Sequence, residues 1–516
     1  MKTRAAGNNP VAVIWEEEII MYLQHLYPVP EKIATGDGCF AFGAELAMET
    51  DACLEMAEQE RIRTLFYQFT CTASTLKLST KDSAKEEIHA VLHTGRGDSL
   101  EQAGNLDSSG GYRIQVLPDM ITIAAKDSKT FVDAFTTLVQ LIEPEDLSEG
   151  GERFLVRSVE IQDKAAMSFR CIHLCVFPET RPLDLQKAIR LAGFLKFTHV
   201  ILEFWGMYPY KSLPELAWKD RAYSLDTIRE LVTEIRSFGM EPVPMLNHLG
   251  HAAQCRAGRG RHVVLDQAPR YAMLFEPDGW TWCTSNPDTY KLLGNLRSEL
   301  METFGQGSYF HLGFDEAYSF ATCPKCAREQ EEGRFLAEFI NRLAADLRKE
   351  GRRSIIWHDE FLASKDWPEK IVANGDRLHK TADGIAHLDK DVIIADWQYY
   401  DGFPGGEPTA EYFMKKGFDV LLCPWNEAEN VRNLCNTTKR LGAMGMIMTT
   451  WQALPAYLRI MPDVAVMMWD AVLREEPPRL PATETAALLR KLITGTKNFE
   501  DVGWIQPEVY PFEAGV

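Results

Sequence analysis

Residues 309–320 read YFHLGFDEAYSF, an apolar run that ends abruptly in two adjacent carboxylates, Asp315 and Glu316. Charges at the end of a core strand are either costly or useful, because a buried charge needs a partner or a task. The run is one of a series. FRCIHLCV (169–176), THVILEF (198–204), EPVPML (241–246), YFHLGF (309–314), SIIWHD (354–359), DVIIADWQ (391–398), DVLLCPWN (419–426) and GMIMTTWQ (445–452) are short and apolar throughout, as strands buried on both faces are. Between them lie stretches with apolar residues at three- and four-residue spacing, among them 183–197, 225–239 and 333–351, the last two stopping at a glycine. Eight strand-then-helix units predict a closed (β/α)8 barrel. An open doubly wound sheet would show a Gly-rich phosphate turn after its first strand, and here that position reads VFPETRPLD.

The residues before the barrel have another texture. YRIQVLPDMITIAA (112–125) alternates, turns near Pro118-Asp119 and alternates again, as a hairpin does, and SKTFVDAFTTLVQLI follows with helical spacing. We expect a smaller α+β domain over 1–165, the (β/α)8 barrel over 166–495 and a tail over 496–516.

Composition excludes several classes. The chain has 516 residues, 46% hydrophobic and 25% charged, with a formal net charge of −19. So acidic a chain is a poor partner for nucleic acid or anionic membranes. No stretch reaches the roughly 20 apolar residues of a membrane span. The N-terminus MKTRAAGNNPVAVIWEEEII has no uninterrupted apolar core before Glu16, so no secretory signal is read there. The 11 cysteines are odd in number and scattered, which argues for reduced thiols or metal ligands and a cytoplasmic location.

In a (β/α)8 barrel, reactive residues project from the C-terminal ends of the strands. Those ends hold Glu203-Phe204-Trp205, Asn247-His248 with His251 beyond, Asp315-Glu316, Trp357-His358-Asp359-Glu360, Asp396-Trp397-Gln398-Tyr399, Trp425-Asn426-Glu427 and Trp451-Gln452. Five of the 12 tryptophans fall on that rim, so a ring of indoles alternates with carboxylates. Sugars suit such a ring, since their C–H faces stack on aromatics while hydroxyls need polar partners. Neighbouring strand residues point to opposite faces, so Asp315 and Glu316 face one ligand only if the strand ends and the chain turns. Two carboxylates flanking a glycosidic bond stand about 5–10 Å apart, a poor fit to an adjacent pair. The pair suits a substrate-assisted reaction, in which the sugar's 2-acetamido oxygen attacks the anomeric carbon, one carboxylate orients the acetamido group and the other transfers the proton.

HLGFDEA resembles the His-x-Gly-x-Asp-Glu signature of glycoside hydrolase family 20, the β-N-acetylhexosaminidases, and GHA at 250–252 and the rim tryptophans extend the resemblance over most of the chain. It implies a retaining exo-β-N-acetylhexosaminidase that takes small glycans with a terminal N-acetylhexosamine and needs no cofactor for its chemistry. By position, Glu316 becomes the general acid/base and Asp315 the acetamido-orienting group. Arg170 would reach the O3 and O4 hydroxyls, His251 would bond within the site, and Trp357, Trp397 and Trp451 would cage the N-acetyl methyl. A Glu in such a cage is expected to have its pKa raised. The chain departs from the family at the end of the seventh strand, where Trp425-Asn426 replaces a Tyr. The acetamido carbonyl is left to Tyr399, Tyr400 or the Trp425 N–H. It departs again after the eighth strand, where Ala453 follows Gln452 in place of a Glu.

Cys323-Pro324-Lys325-Cys326 has the spacing of a zinc half-site, with a redox pair or reduced, unliganded thiols as the alternative readings. On the zinc reading, Cys283 would supply a third ligand, and Cys255 or His262 a fourth, for a structural site. The three arginines of CRAGRGRH (255–262) read as a solvated loop or, more sharply, a contact for an acidic glycan substituent, and Asp359-Glu360 as a wall of the site or a support behind it. Two other readings stand beside the favoured one: a conventional retaining β-glycosidase pairing Glu316 with Glu203 or Glu360, and a catalytically silent carbohydrate-binding barrel.

Overall fold

The structure is a computed structural model. It describes residues 26–493 apart from 71–72, 82–84, 86, 95–99, 146–152, 255–261, 329–332, 376–377, 401–406, 452–453, 455–457 and 477–481.

The first unit is a mixed sheet with helices on it. In chain order it contains β1 (Lys32–Phe42), β2 (Glu45–Thr50), α1 (Met56–Phe69), β3 (Thr75–Thr80), β4 (Ile88–His93), α2 (Leu100–Ala103), β5 (Tyr112–Val116), β6 (Ile121–Ala125), α3 (Ser128–Gln140), β7 (Glu143–Pro144) and β8 (Phe154–Asp163). The order across the sheet is β1-β8-β5-β6-β4-β2-β3. The expected hairpin is β5–β6, paired antiparallel from Tyr112↔Ala125 to Val116↔Ile121. Asp127 caps α3 by accepting from the Thr130 amide, which starts the helix where its apolar face begins.

The second unit is the closed parallel barrel: β9 (Phe169–Val176), α4 (Pro182–Phe194), β10 (His199–Phe204), α5 (Leu225–Ser237), β11 (Glu241–Met245), α6 (Pro287–Phe304), β12 (Tyr309–His311), α7 (Arg334–Lys349), β13 (Arg353–Trp357), β14 (Ile393–Asp396), α8 (Pro408–Lys415), β15 (Val420–Leu422), α9 (Ala428–Leu441) and β16 (Gly445–Met448). Two helices follow, α10 (Met461–Trp469) and α11 (Ala482–Ile493). Every sequence run holds one barrel strand, and from β11 onward the strand stops short of the run's end, whose last residues leave the ladder and form the rim. The barrel interior is packed by Phe169, Cys171, Ile201, Val243, Met245, Ile355, Trp357, Ile393, Ala395, Leu421, Cys423 and Ile447. The opposite strand faces meet the helices, which is why these strands carry no polar alternation.

The two units share a buried polar seam. Lys196, fully buried, donates to the Tyr112 hydroxyl at 2.7 Å and lies 3.4 Å from Asp163, while the Trp469 indole N–H donates to Asp163 at 3.0 Å. Arg170 belongs to this seam. Its guanidinium donates to the carbonyls of Lys196 (2.8 Å) and Met167 (2.6 Å), sits over the Trp469 ring and lies 3.9 Å from Asp133 of α3. The expectation that Arg170 reaches the sugar is therefore overturned. It is the second residue of β9, at the end of the strand away from the rim, and the inward positions are its neighbours Phe169 and Cys171.

Candidate active site

The chain turns sharply after β12. Gly313 has φ +76°, Phe314 +85° and Glu316 +48°, so the strand ends at His311, four residues before the expected end at Asp315. Gly313 has to be glycine: a Cβ there would lie 1.9 Å from Asn247 Oδ1. The turn puts Asp315 and Glu316 on one wall of the barrel mouth, where His251 Nε2 lies 3.3 Å from Asp315 Oδ2 and 3.3 Å from Glu316 Oε2.

The loop carrying His251 reaches this place through Gly250. A Cβ on Gly250 would lie 2.0 Å from the Asp315 carbonyl oxygen, so the two loops meet backbone to backbone. Trp280 and Trp205 press their rings edge-on to His251, with centroids 4.7 and 5.3 Å away. The Trp280 indole N–H also donates to the Glu316 carbonyl at 2.7 Å. From the other side Asp359 Oδ2 accepts the Glu316 amide (2.9 Å) and Glu360 Oε1 accepts the Ala317 amide (2.8 Å). The second acid pair thus holds the backbone of the first.

A cavity of about 330 Å³ opens at this wall, lined by Phe177, Trp205, His251, Asp315, Glu316, Trp397, Tyr399, Trp425 and Trp451. Trp397 donates to Asp359 at 3.2 Å, and Trp451 donates to the Tyr399 hydroxyl at 2.7 Å, which also lies 3.1 Å from Thr449 Oγ1. The cavity thus gathers most of the expected residues. Trp357 is a correction: fully buried, it lies one layer down in the barrel interior, its ring 5.7 Å from that of Trp451, and supports the cage without lining it. Asn426 is half-buried and does not line the cavity either. Tyr400 turns away to donate to Glu407. Gln452, Ala453 and Cys255 lie outside the described residues.

Phe177, Trp280 and Tyr318 are additions. Phe177 follows the last residue of β9, where another apolar residue continues the strand's run and carries no signal that it lines a cavity. Trp280 and Tyr318 stack at 6.4 Å beside the carboxylates, and Tyr318 is 67% exposed.

The electrostatics depart from expectation. Burial on its own would lower the His251 pKa, but Asp315 and Glu316 outweigh it and push it up to about 10. Burial raises the Asp315 pKa and exceeds the lowering by His251, with Glu203 and Glu316 adding to the rise. Glu316 goes the other way. Burial favours its neutral form, but the hydrogen bond and charge of His251, with the Tyr318 hydroxyl, hold it below the usual range. The expected cage-raised glutamate is not found, because Glu316 is partly solvated, 32% exposed at the side chain, and shares an imidazolium.

The carboxylates considered as alternative catalytic partners are occupied elsewhere. Glu203 is buried behind the wall, accepting from Asn247 at 2.7 Å and lying 2.9 Å from His173 Nε2. Among the described lining residues, Asp315 and Glu316 are the carboxylates. Asp315 Oδ1 is buried and takes no hydrogen bond from any described residue.

Comparison with known proteins places these features. The model "Glycosyl hydrolase family 20, catalytic domain" matches residues 201–476, and "Glycosyl hydrolase family 20, domain 2" matches residues 23–164.

The chain belongs to glycosyl hydrolase family 20.

Within family 20 the chain is 23% identical over 436 residues to a β-hexosaminidase of Vibrio furnissii, covering 77% of this chain. The match spans 62% of that relative's length. The fold resembles a β-N-acetylhexosaminidase of Bacteroides fragilis (TM-score 0.63, 20% identity, covering 90% of this chain and 94% of that one). It also resembles a Streptomyces plicatus N-acetyl-β-hexosaminidase in complex with Thio-NAglucal (TM-score 0.61, 17% identity, covering 87% of this chain and 90% of that one). Both neighbours share the family-20 architecture, a (β/α)8 barrel preceded by a smaller α+β domain.

The three expected cysteines come together, with a different fourth group beside them. Cys283, Cys323 and Cys326 converge with Glu276, their ligand atoms all within 4.8 Å of one another. His262 is not among them: its Nε2 pairs with the Gly279 carbonyl (2.9 Å), and its Nδ1 accepts the Leu265 amide (3.0 Å).

Proposed function

We propose that this protein is a retaining exo-β-N-acetylhexosaminidase acting on small glycans or glycoconjugates with a terminal β-linked GlcNAc or GalNAc. One observation carries this reading: two adjacent carboxylates share one imidazole on a single wall of a small aromatic cavity, and no other carboxylate lines it among the described residues. Without a carboxylate on the opposite wall, the nucleophile comes from the substrate. A cavity of about 330 Å³, at the small end of ligand pockets, suits a single sugar ring, hence exo action.

In the first step the acetamido oxygen attacks C1 as the glycosidic C1–O bond breaks, and the leaving oxygen takes the proton of Glu316. Asp315, through the buried Oδ1, accepts the acetamido N–H and stabilises the positive charge that develops on the ring being formed. In the second step water attacks C1, gives its proton to Glu316 and reopens the oxazolinium, so the product keeps the β configuration. Sugar binding covers Glu316, and loss of water favours its protonated form, which the ligand-free site disfavours.

Tyr399 is the donor proposed for the acetamido carbonyl. Its hydroxyl accepts from Trp451, and its proton, which faces Thr449 Oγ1 at 3.1 Å because Thr449 donates to the Pro424 carbonyl, turns to the acetamido carbonyl when the sugar binds. Trp397 and Trp451 pack the N-acetyl methyl and Trp425 stacks on the ring. This chemistry uses carboxylates and the substrate's own amide, so it calls for no organic cofactor. A zinc held by the cysteine cluster would be structural, since none of those residues lines the cavity.

The domain limits proposed are 1–165, 166–495 and 496–516, supported by β8 ending at Asp163 and β9 starting at Phe169. Among the described residues no helix is long and apolar enough to cross a membrane. A cytoplasmic location is proposed, supported by the convergence of three thiols without a disulfide.

The test is the stereochemistry of the first product. Proton NMR of 4-nitrophenyl β-GlcNAc hydrolysis should show the β-hemiacetal before mutarotation; α-product first would contradict the mechanism.

A further inference from the structure

We infer that Glu276, Cys283, Cys323 and Cys326 form a structural zinc site, with Glu276 as the fourth ligand. The backbone builds it from two loops. The first is a tight turn: Phe275 and Trp282 bridge, the Glu276 amide donates to the Thr281 carbonyl at 2.7 Å, and the Cys283 amide donates to the Leu274 carbonyl at 2.9 Å. That turn sets Glu276 and Cys283 side by side despite seven residues of separation. The second is the CxxC segment, where the Cys326 amide donates to Cys323 Sγ at 3.3 Å, a contact that favours the thiolate.

The spacing fits a tetrahedral ion. Cys283 Sγ lies 3.6 Å from both Cys323 Sγ and Cys326 Sγ. Four sulfurs about 2.3 Å from a central zinc would stand roughly 3.7–3.8 Å apart, whereas a disulfide brings its sulfurs to about 2.0 Å. With Cys283 equally close to both partners, pairing any two thiols would leave the third stranded.

Glu276 supplies the independent observation. It is 1% exposed, and acids are almost never so buried unless paired. One carboxylate oxygen is anchored, accepting the Cys323 amide at 2.5 Å and the Thr322 hydroxyl at 3.2 Å. The other, Oε1, is buried and takes no hydrogen bond from any described residue. A buried acceptor oxygen next to three thiols is costly alone and is satisfied by a divalent cation. Three thiolates and one carboxylate around zinc leave the same net charge as a four-cysteine site, and soft sulfur ligands in a tetrahedron favour zinc among common divalent metals. All four ligands are protein side chains, so the site is closed and structural. It ties the Trp280 turn, whose indole packs on His251, to the loop that follows Glu316.

The test is metal content of the full chain, purified without added metal or chelator. Elemental analysis should find about one zinc per chain, as a closed four-ligand site predicts. Zinc should fall below about one-tenth equivalent in a Cys323→Ser/Cys326→Ser variant, and Glu276→Gln should lose zinc to a chelator at least about tenfold faster than wild type, as ligand loss predicts. Chelation of the wild type should lower its melting temperature. Three outcomes would overturn the site: less than one-tenth equivalent in the wild type, full zinc in the double serine variant, or another metal at full occupancy. None depends on hydrolytic activity, so a failure here is separable from a failure of the proposed reaction.

Discussion

The carbonyl oxygen of Asp315 occupies the space beside the α-carbon of Gly250: a Cβ at that position would lie 2.0 Å from it. Side chains can rotate away from a clash, but here the obstacle is backbone, so the loop itself must move. Gly250→Ala is expected to lower kcat/KM by more than about tenfold while the far-UV circular dichroism stays native, because sub-ångström placement is what the site depends on. Wild-type kinetics in a folded Gly250→Ala protein would show that this approach does not set the position of His251.

The roles of the two carboxylates separate by leaving group. Glu316→Gln should lose roughly 10²–10⁴-fold on substrates with sugar leaving groups, the usual worth of a general acid, and much less in the bond-breaking step on 4-nitrophenyl glycosides. Asp315→Asn should lose about 10²–10³-fold on both, since it stabilises the intermediate whatever departs. Steady-state and pre-steady-state rates on paired substrates check this; equal losses across both would mean the roles are misassigned.

Arg170 is legible as an arginine on the first barrel strand, but its direction is not. Both faces of such a strand are apolar, so the sequence carries no alternation that tells inward from outward, and a shift of one residue reverses every side chain. The depth of Trp357 is not legible either, since an inward side chain on the last strand residue lies beneath the rim. The eight strands and the glycine stops of α5 and α7 needed only local pattern. Glu276 left no local trace, because it becomes a neighbour of Cys323 only when two loops fold together. Glu316's low pKa was likewise invisible without the position of His251.

From that correction, Arg170→Ala should destabilise the protein by about 3–5 kcal/mol, the range for breaking a buried charge pair, with KM unchanged within about twofold. Denaturant unfolding and Michaelis kinetics below the transition decide this. A large KM increase with unaltered stability would return Arg170 to the sugar site.

The His251 cluster predicts a pH signature. Its folded pKa is raised to about 10, so between the unfolded value of roughly 6.5 and 10 the native state binds the extra proton. The stabilisation is therefore full below pH 6.5 and is lost as pH rises through 10. Melting temperatures should fall over that window more steeply in the wild type than in His251→Gln; parallel curves would show that the imidazole is neutral at pH 7.

The most direct measurement of the central claim compares kcat/KM on 4-nitrophenyl β-GlcNAc and 4-nitrophenyl β-Glc. If the acetamido group is the nucleophile, removing it leaves nothing opposite Glu316 to attack C1, and the glucoside should be slower by about 10³-fold or more. Comparable rates on the two substrates would contradict substrate-assisted catalysis and require a second protein carboxylate at the bond.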